Sequence, residues 1–128
     1  PNWVHSESLR LAARPIVLDD RQRGIVRDAI VDHCRHRSWS LLALNVRTNH
    51  VHAVVAHDPN RSVEDVLVSL KARCTRCLRD AKLVQPDAPV WTRHGSTRYL
   101  WKPDDVESAV NYALDGQGPC DRFAVNYA

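Results

Sequence analysis

The stretch Asn49-His50-Val51-His52-Ala53-Val54-Val55 constrains the fold more than any other part of the chain. Its β-branched residues and its histidines alternate with a period of two, which suits a strand and not a helix. Residues i and i+2 of a strand share a face, so His50 and His52 stand side by side, with Val51, Ala53 and Val55 on the opposite face. Two imidazoles roughly 7 Å apart at Cβ can converge on one metal ion. The run from Trp39 to Arg47 alternates in the same way, and little more than Thr48-Asn49 separates the two runs. So short a link predicts an antiparallel hairpin, although no Gly marks the turn type.

Helical patterns flank this hairpin. Asp19 or Asp20 is a suitable N-cap, and Ile25, Val26, Ala29, Ile30, His33 and Cys34 recur at helical spacing, which predicts an amphipathic helix over 20–36. His33 lies on the apolar stripe and reads as a core histidine with its hydrogen bond satisfied rather than as a ligand. After a loop ending at Ser62, the residues Val63, Val66, Leu67, Leu70, Cys74, Cys77, Leu78 and Ala81 fall within an arc of about 120°. Lys71 and Lys82 flank that arc, and Arg73, Arg76 and Arg79 lie farther round. Cys74-Thr75-Arg76-Cys77 has the spacing of half a zinc site. Both thiols fall on the apolar face, however, and no second CxxC or nearby His pair completes the set. They read as small buried hydrophobes, with Cys34 or Cys120 kept as the partners of a zinc alternative.

Pro86 and Pro89 end this region. Val90 to Arg93, His94-Gly95-Ser96 and Thr97 to Trp101 then read as strand, turn and strand. Pro103, followed by Asp104 and Asp105, opens a third helix with Val106, Ala109, Val110, Ala113 and Leu114 as its buried stripe and Gly116 placed to end it. Residues 1–18 are less regular: Ser6 to Ala13 reads as a helical turn or a loop, and Arg14 to Leu18 as extended. The order helix, strand, strand, helix, strand, strand, helix predicts one α+β domain over residues 1–128. Its antiparallel sheet carries helices mainly on one face and leaves the other face for function.

Charge adds a weak pointer. Residues 60–102 carry nine Lys/Arg against four Asp/Glu, and the remainder carries nine against eleven. A basic second half is the footprint of a polyanion partner or simply a solvated helix face. No apolar run approaches the roughly 18 residues of a membrane span, and the four Cys form no dense framework, so reduced thiols in a cytoplasm are the simplest reading.

Tyr112 turns the histidine pair into chemistry. On the third helix it sits about 100° or more from the centre of the apolar stripe, where a tyrosine that only filled the core would not be. A free phenol has a pKa of about 10 and is a poor nucleophile at neutral pH, but a metal that polarises the electrophile removes much of that difficulty. Two His on a strand and a Tyr on a helix thus form a kit for attack on a phosphodiester.

These residues also carry a family resemblance. NVRTNHVHAVV (Asn45 to Val55) resembles the His-hydrophobe-His strand of the IS200/IS605-like single-tyrosine (HUH) transposases and their REP-associated relatives. Leu70-Lys71-Ala72 with Thr75-Arg76 resembles that family's basic helix, and Val90 to Ser96 its Trp-and-Gly-Ser hairpin. Ala109 to Gly118 resembles the helix that carries the nucleophilic tyrosine and a polar metal ligand downstream. The likeness runs over about residues 20–118. It implies a ferredoxin- or RRM-like fold and cleavage of single-stranded DNA, with hairpin structure, through a 5′-phosphotyrosine at Tyr112. Mg²⁺ or Mn²⁺ would be held by His50, His52 and Gln117. Gln117 lies five residues after Tyr112, where four is the commoner family spacing, so Asp115 or a water is the alternative ligand. The family's sheet begins with a strand ahead of the first helix, and residues 1–18 offer no clear counterpart, so that strand is expected to be missing. Lys71, Arg73, Arg76, Arg79, Arg93 and Arg98 are the candidate phosphate contacts. Trp91, Trp101 and Tyr99 are candidates for stacking on unpaired bases. The family admits both homodimers and monomers. A non-catalytic hairpin-binding relative and a metal-dependent hydrolase that activates water are the competing readings.

Overall fold

The computed structural model describes residues 3–10, 17–91, 96–115 and 124–126. Its elements are β1 (Trp3–Arg10), α1 (Asp20–Arg37), β2 (Ser40–Val46), β3 (His50–His57), α2 (Val63–Asp80), β4 (Ser96–Tyr99), α3 (Pro103–Asp115) and β5 (Ala124–Asn126). The strands form one antiparallel sheet in the order β4-β1-β3-β2-β5. The expected α+β architecture is present.

The strand expected to be missing is there. β1 lies inside the sheet, paired with β3 along its whole length and with β4 on its other side. Its residues hide it from a pattern search: Ser6 and Ser8 face one side, and the fully buried His5 faces the other with Leu9. Ser6 to Arg10 is therefore strand, neither a helical turn nor a loop.

Local signals explain the other elements. Asp19 caps α1 in a reciprocal box: its carboxylate accepts from the Gln22 amide, and the Gln22 side chain accepts from the Asp19 amide. Ser38, at φ 60°, ends the helix. Ser62 caps α2 by accepting from the Asp65 amide. Asp104 and Asp105 sit in the first turn of α3, where the helix dipole favours negative charge. The turn expected at His94-Gly95 and the helix stop at Gly116 lie outside the described residues.

The sheet separates two cores. On one face Val51, Ala53 and Val55 of β3, with Leu41, Leu44 and Val46 of β2, pack under α1 and α2. On the other face Ala43 and Val54 pack under Ala109, Val110, Ala113 and Leu114 of α3. A bulge between Leu41 and Ala43 lets Leu41 and Leu44 share a face despite their odd spacing. Two of the three helices do lie on one face, but the face expected to stay open carries α3.

Cys34 and Cys74 are buried in the α1–α2 core. Desolvation pushes the Cys34 thiol up to about 12 and raises Cys74 still further. Both act as small apolar side chains. Among the described residues no three His, Cys, Asp or Glu gather as a metal ligand set, and Cys120 lies outside those residues. No helix among them is long and apolar enough to cross a membrane.

Candidate active site

The β2–β3 hairpin closes with the Arg47 amide donating to the His50 carbonyl at 2.9 Å, and β3 starts at His50. Alternation then fixes the faces as expected. Val51 and Ala53 enter the α1–α2 core, and His50 and His52 face the side of α3, both half-buried.

Each imidazole has a neighbour that sets its ring. His50 Nδ1 lies 2.8 Å from Asn49 Oδ1. A carbonyl oxygen only accepts, so Nδ1–H donates and the neutral ring carries its lone pair on Nε2. His52 Nε2 lies 2.8 Å from Ser6 Oγ of β1. Ser6 faces His52 because Ser8 pairs directly with His52 and Ser6 with Val54.

α3 brings the phenol to this strand. Tyr112 is 55% exposed, off the buried stripe as its helical position predicts. Its ring meets the His52 ring edge-on, with centroids 5.6 Å apart. One turn earlier, Ser108 lines the same cavity of about 460 Å³, together with Ser6, Ser8, His52 and Arg98. Arg98 reaches it from β4, where it pairs with Ser6. The helix is fixed in place by Asn45 of β2, opposite His52, whose wholly buried amide donates from Nδ2 to the Ala113 carbonyl at 2.9 Å.

The site thus unites His52, Tyr112 and Arg98 from three separate parts of the sequence, with His50 on the same strand face as His52. Gln117 and Arg93 lie outside the described residues. Ser6, Ser8, Ser108 and Asn45 were not singled out from the sequence, since their roles depend on strand register and helix docking that no local pattern shows. Asn45 lies within the His-bearing stretch with no role that the pattern shows, whereas Asn49, which like Arg47 lies beside the histidines and is expected from that place to help orient a phosphate or the rings, does stand against the His50 ring.

The other expected DNA contacts lie elsewhere. Lys71, Arg73, Arg76 and Arg79 are on α2, on the far side of the sheet from Tyr112. Trp91 packs against that core half-buried, and its indole N–H faces the Lys71 carbonyl at 3.2 Å and Thr75 Oγ1 at 3.1 Å. The exposed aromatic pair is Tyr99 and Trp101, stacked with rings 5.3 Å apart and 7° from parallel. Trp101 is 71% exposed.

Comparison with known proteins bears on the family and the fold. The family model described as "Transposase IS200 like" matches residues 9–102. A solved REP-associated tyrosine transposase bound to a REP hairpin is similar in fold, with a TM-score of 0.70 at 17% identity, over 89% of this chain. This chain spans 66% of the length of that one. A candidate transposase from Deinococcus radiodurans R1 matches with a TM-score of 0.68 at 18% identity, over 94% of both chains. No curated protein sequence matches significantly.

Proposed function

Since the chain belongs to the IS200-like transposase family, we propose that it cleaves and rejoins single-stranded DNA next to a hairpin, with Tyr112 as nucleophile. The observation that carries this reading is the meeting of Tyr112 with His52 in a cavity that also receives Arg98. An exposed phenol, an arginine, an imidazole and three serine hydroxyls around one open cavity suit a phosphodiester better than an apolar ligand.

Arg98 holds the phosphate through charge-assisted hydrogen bonds, for which the planar guanidinium is well shaped. Tyr112 Oη attacks phosphorus in line with the 3′ oxygen. The O–P bond forms as the P–O3′ bond breaks, the phenolic proton is lost, and the leaving oxygen takes a proton to become a 3′-hydroxyl. The 5′ phosphate stays on Tyr112 as a phosphodiester, so a later 3′-hydroxyl can reverse the step and join new ends.

The donor set fits a divalent ion such as Mg²⁺ or Mn²⁺. His50 and His52 share a face, and the Asn49 contact puts His50 in the form that coordinates through Nε2. His52 would exchange its contact with Ser6 for the ion, and Gln117 is the proposed third ligand. When bound, the ion supplies Lewis-acid polarisation of a phosphate oxygen. Tyr99 and Trp101 offer a stacking surface for unpaired bases, worth roughly 1–3 kcal/mol per base. Trp91 instead braces α2 and shapes the groove beside Lys71.

The test is incubation with a labelled single strand carrying a hairpin and Mn²⁺, resolved on a denaturing gel. Wild type is expected to give a protein–DNA adduct and Tyr112→Phe none. An equal adduct from Tyr112→Phe sinks the nucleophile assignment. Hairpin binding without any adduct favours the non-catalytic reading, although β1 in the sheet removes one of its motives.

A further inference from the structure

The two halves of the proposed ion site differ in readiness. His50 has Nδ1 engaged by Asn49 Oδ1 at 2.8 Å, which leaves its Nε2 lone pair for an ion. His52 instead has its Nε2 against Ser6 Oγ of β1, also at 2.8 Å. We propose that Ser6 is a latch on the site. Its hydroxyl holds the His52 ring turned away from His50, and a divalent ion is shared between the two histidines only once that contact opens. Ser6 is thus a positioning residue that acts through His52. The inference deepens the ion reading of this site and rests on it.

Strand register gives the direction of the ring. On β1, Arg10 stands opposite His50, Ser8 opposite His52 and Ser6 opposite Val54. Ser6 is therefore the diagonal neighbour of His52 on the side away from His50. Diagonal neighbours across an antiparallel ladder are roughly 7–8 Å apart, so a ring that touches one must lean along its strand. To touch Ser6 the imidazole leans toward Val54. An ion shared with His50 needs the opposite lean, because two nitrogens on one small divalent ion lie within about 4 Å of each other. The same nitrogen cannot meet both demands at once.

The contact blocks that nitrogen in either tautomer. Where Ser6 donates, its proton occupies the Nε2 lone pair; where Ser6 accepts, Nε2 carries the ring proton. Packing does not ask for a hydroxyl here. Ser6 stands across from Val54, which packs with Ala109 and Val110 of α3. A half-buried hydroxyl in such surroundings needs a partner, and His52 is that partner. The same imidazole meets the Tyr112 ring with centroids 5.6 Å apart. Swinging His52 toward His50 takes it off the phenol, so opening the latch also changes the surroundings of Tyr112.

A latch of this kind divides the intrinsic affinity by the fraction of molecules in which it is open. One hydrogen bond between partly buried groups holds it, which sets that fraction at about a tenth to a third. Removing the hydroxyl should therefore tighten ion binding, whereas loss of a supporting partner behind a ligand weakens it.

The experiment is Mn²⁺ binding to the DNA-free protein, followed by loss of the free-ion electron paramagnetic resonance signal, so that cleavage does not enter the readout. Wild type is expected to bind one ion at the histidine pair, and His50→Ala to lose it. Ser6→Ala should bind Mn²⁺ about three- to tenfold more tightly, and Ser6→Thr, which keeps the hydroxyl, should return to the wild-type value. An unchanged unfolding midpoint will show that Ser6→Ala is folded. Nitrogen NMR gives a second readout. In the ion-free proteins the His52 Nε2 resonance should move in Ser6→Ala and the His50 resonances should stay. In wild type, Mg²⁺ should shift His52 Nε2 and the Tyr112 ring protons together. Equal Mn²⁺ affinity in wild type and Ser6→Ala overturns the latch and leaves the ion reading standing. Weaker binding in Ser6→Ala overturns the latch as well, since Ser6 would then support the ion. Absence of Mn²⁺ binding in both proteins, with and without a DNA hairpin, overturns both readings.

Discussion

Asn45 shows how much of the site rests on a single side chain. It is wholly buried, stands opposite His52 across the β2–β3 ladder, and donates to the carbonyl of Ala113, the residue after Tyr112. One amide thus ties the histidine strand to the helix that carries Tyr112. Asn45→Ala removes the donor and leaves a gap between sheet and helix, which should cost about 1–3 kcal/mol. Thermal unfolding will show it as a drop of several degrees, and adduct formation should fall further than stability alone explains, because Tyr112 loses its position. An adduct rate equal to wild type would mean that α3 docks correctly without this bond. Asn49 acts one step from the proposed ion, through His50 Nδ1. Asn49→Ala should raise the Mn²⁺ concentration for half-maximal adduct roughly tenfold, as loss of a partner behind a metal-binding histidine commonly does. An unchanged Mn²⁺ requirement would show that Asn49 does not set the ring.

The elements differ in how openly the sequence displays them. α1, α2 and α3 each bury one regular stripe, and the residues of β2 and β3 alternate in type, so periodicity alone located them within a residue or two, although the hairpin is buried on both faces. β1 breaks that rule because one of its faces serves the site: Ser6 and Ser8 stand where a core strand would carry apolar residues. Tyr112 was legible for the converse reason, being an aromatic residue away from the buried stripe of its helix. The bulge in β2 and the Ser6–His52 contact were not legible, since both arise from pairing between distant segments. Deleting residues 1–10 would strip β3 of a partner along its whole length and uncover His57 of the sheet interior. The shortened chain should lose cooperative unfolding in urea, and a sharp transition would contradict the central place of β1. At the α1–α2 interface, burial and the raised thiol pKa values keep Cys34 and Cys74 protonated well above neutral pH. Alkylation of the native protein at pH 8 should therefore leave both unmodified by mass spectrometry, with labelling appearing only on denaturation.

Across the whole molecule the sheet divides two kinds of positive charge. Arg98 stands beside Tyr112 on the α3 side, and Arg76 faces solvent from α2 on the other. A sheet and a packed helix put roughly 15–20 Å between them, beyond the Debye length of about 8 Å at physiological salt. In the proposed reading each face therefore acts on the DNA it would touch, with little direct influence on the other. A charge next to the reacting phosphate stabilises the transition state, where negative charge on the phosphate oxygens must be held in place. A charge on a distant phosphate contributes equally before and during the reaction, so it changes binding without changing the chemical step. Arg98→Ala should accordingly slow adduct formation at saturating DNA by tenfold or more, with a smaller effect on hairpin affinity. Arg76→Ala should weaken affinity and lower the salt slope by about one, yet reach the wild-type rate once DNA is saturating. Single-turnover kinetics across a DNA titration separates the two quantities in one experiment. If Arg76→Ala slows the reaction at saturation as much as Arg98→Ala does, the two faces are coupled through the fold and the division by the sheet is wrong.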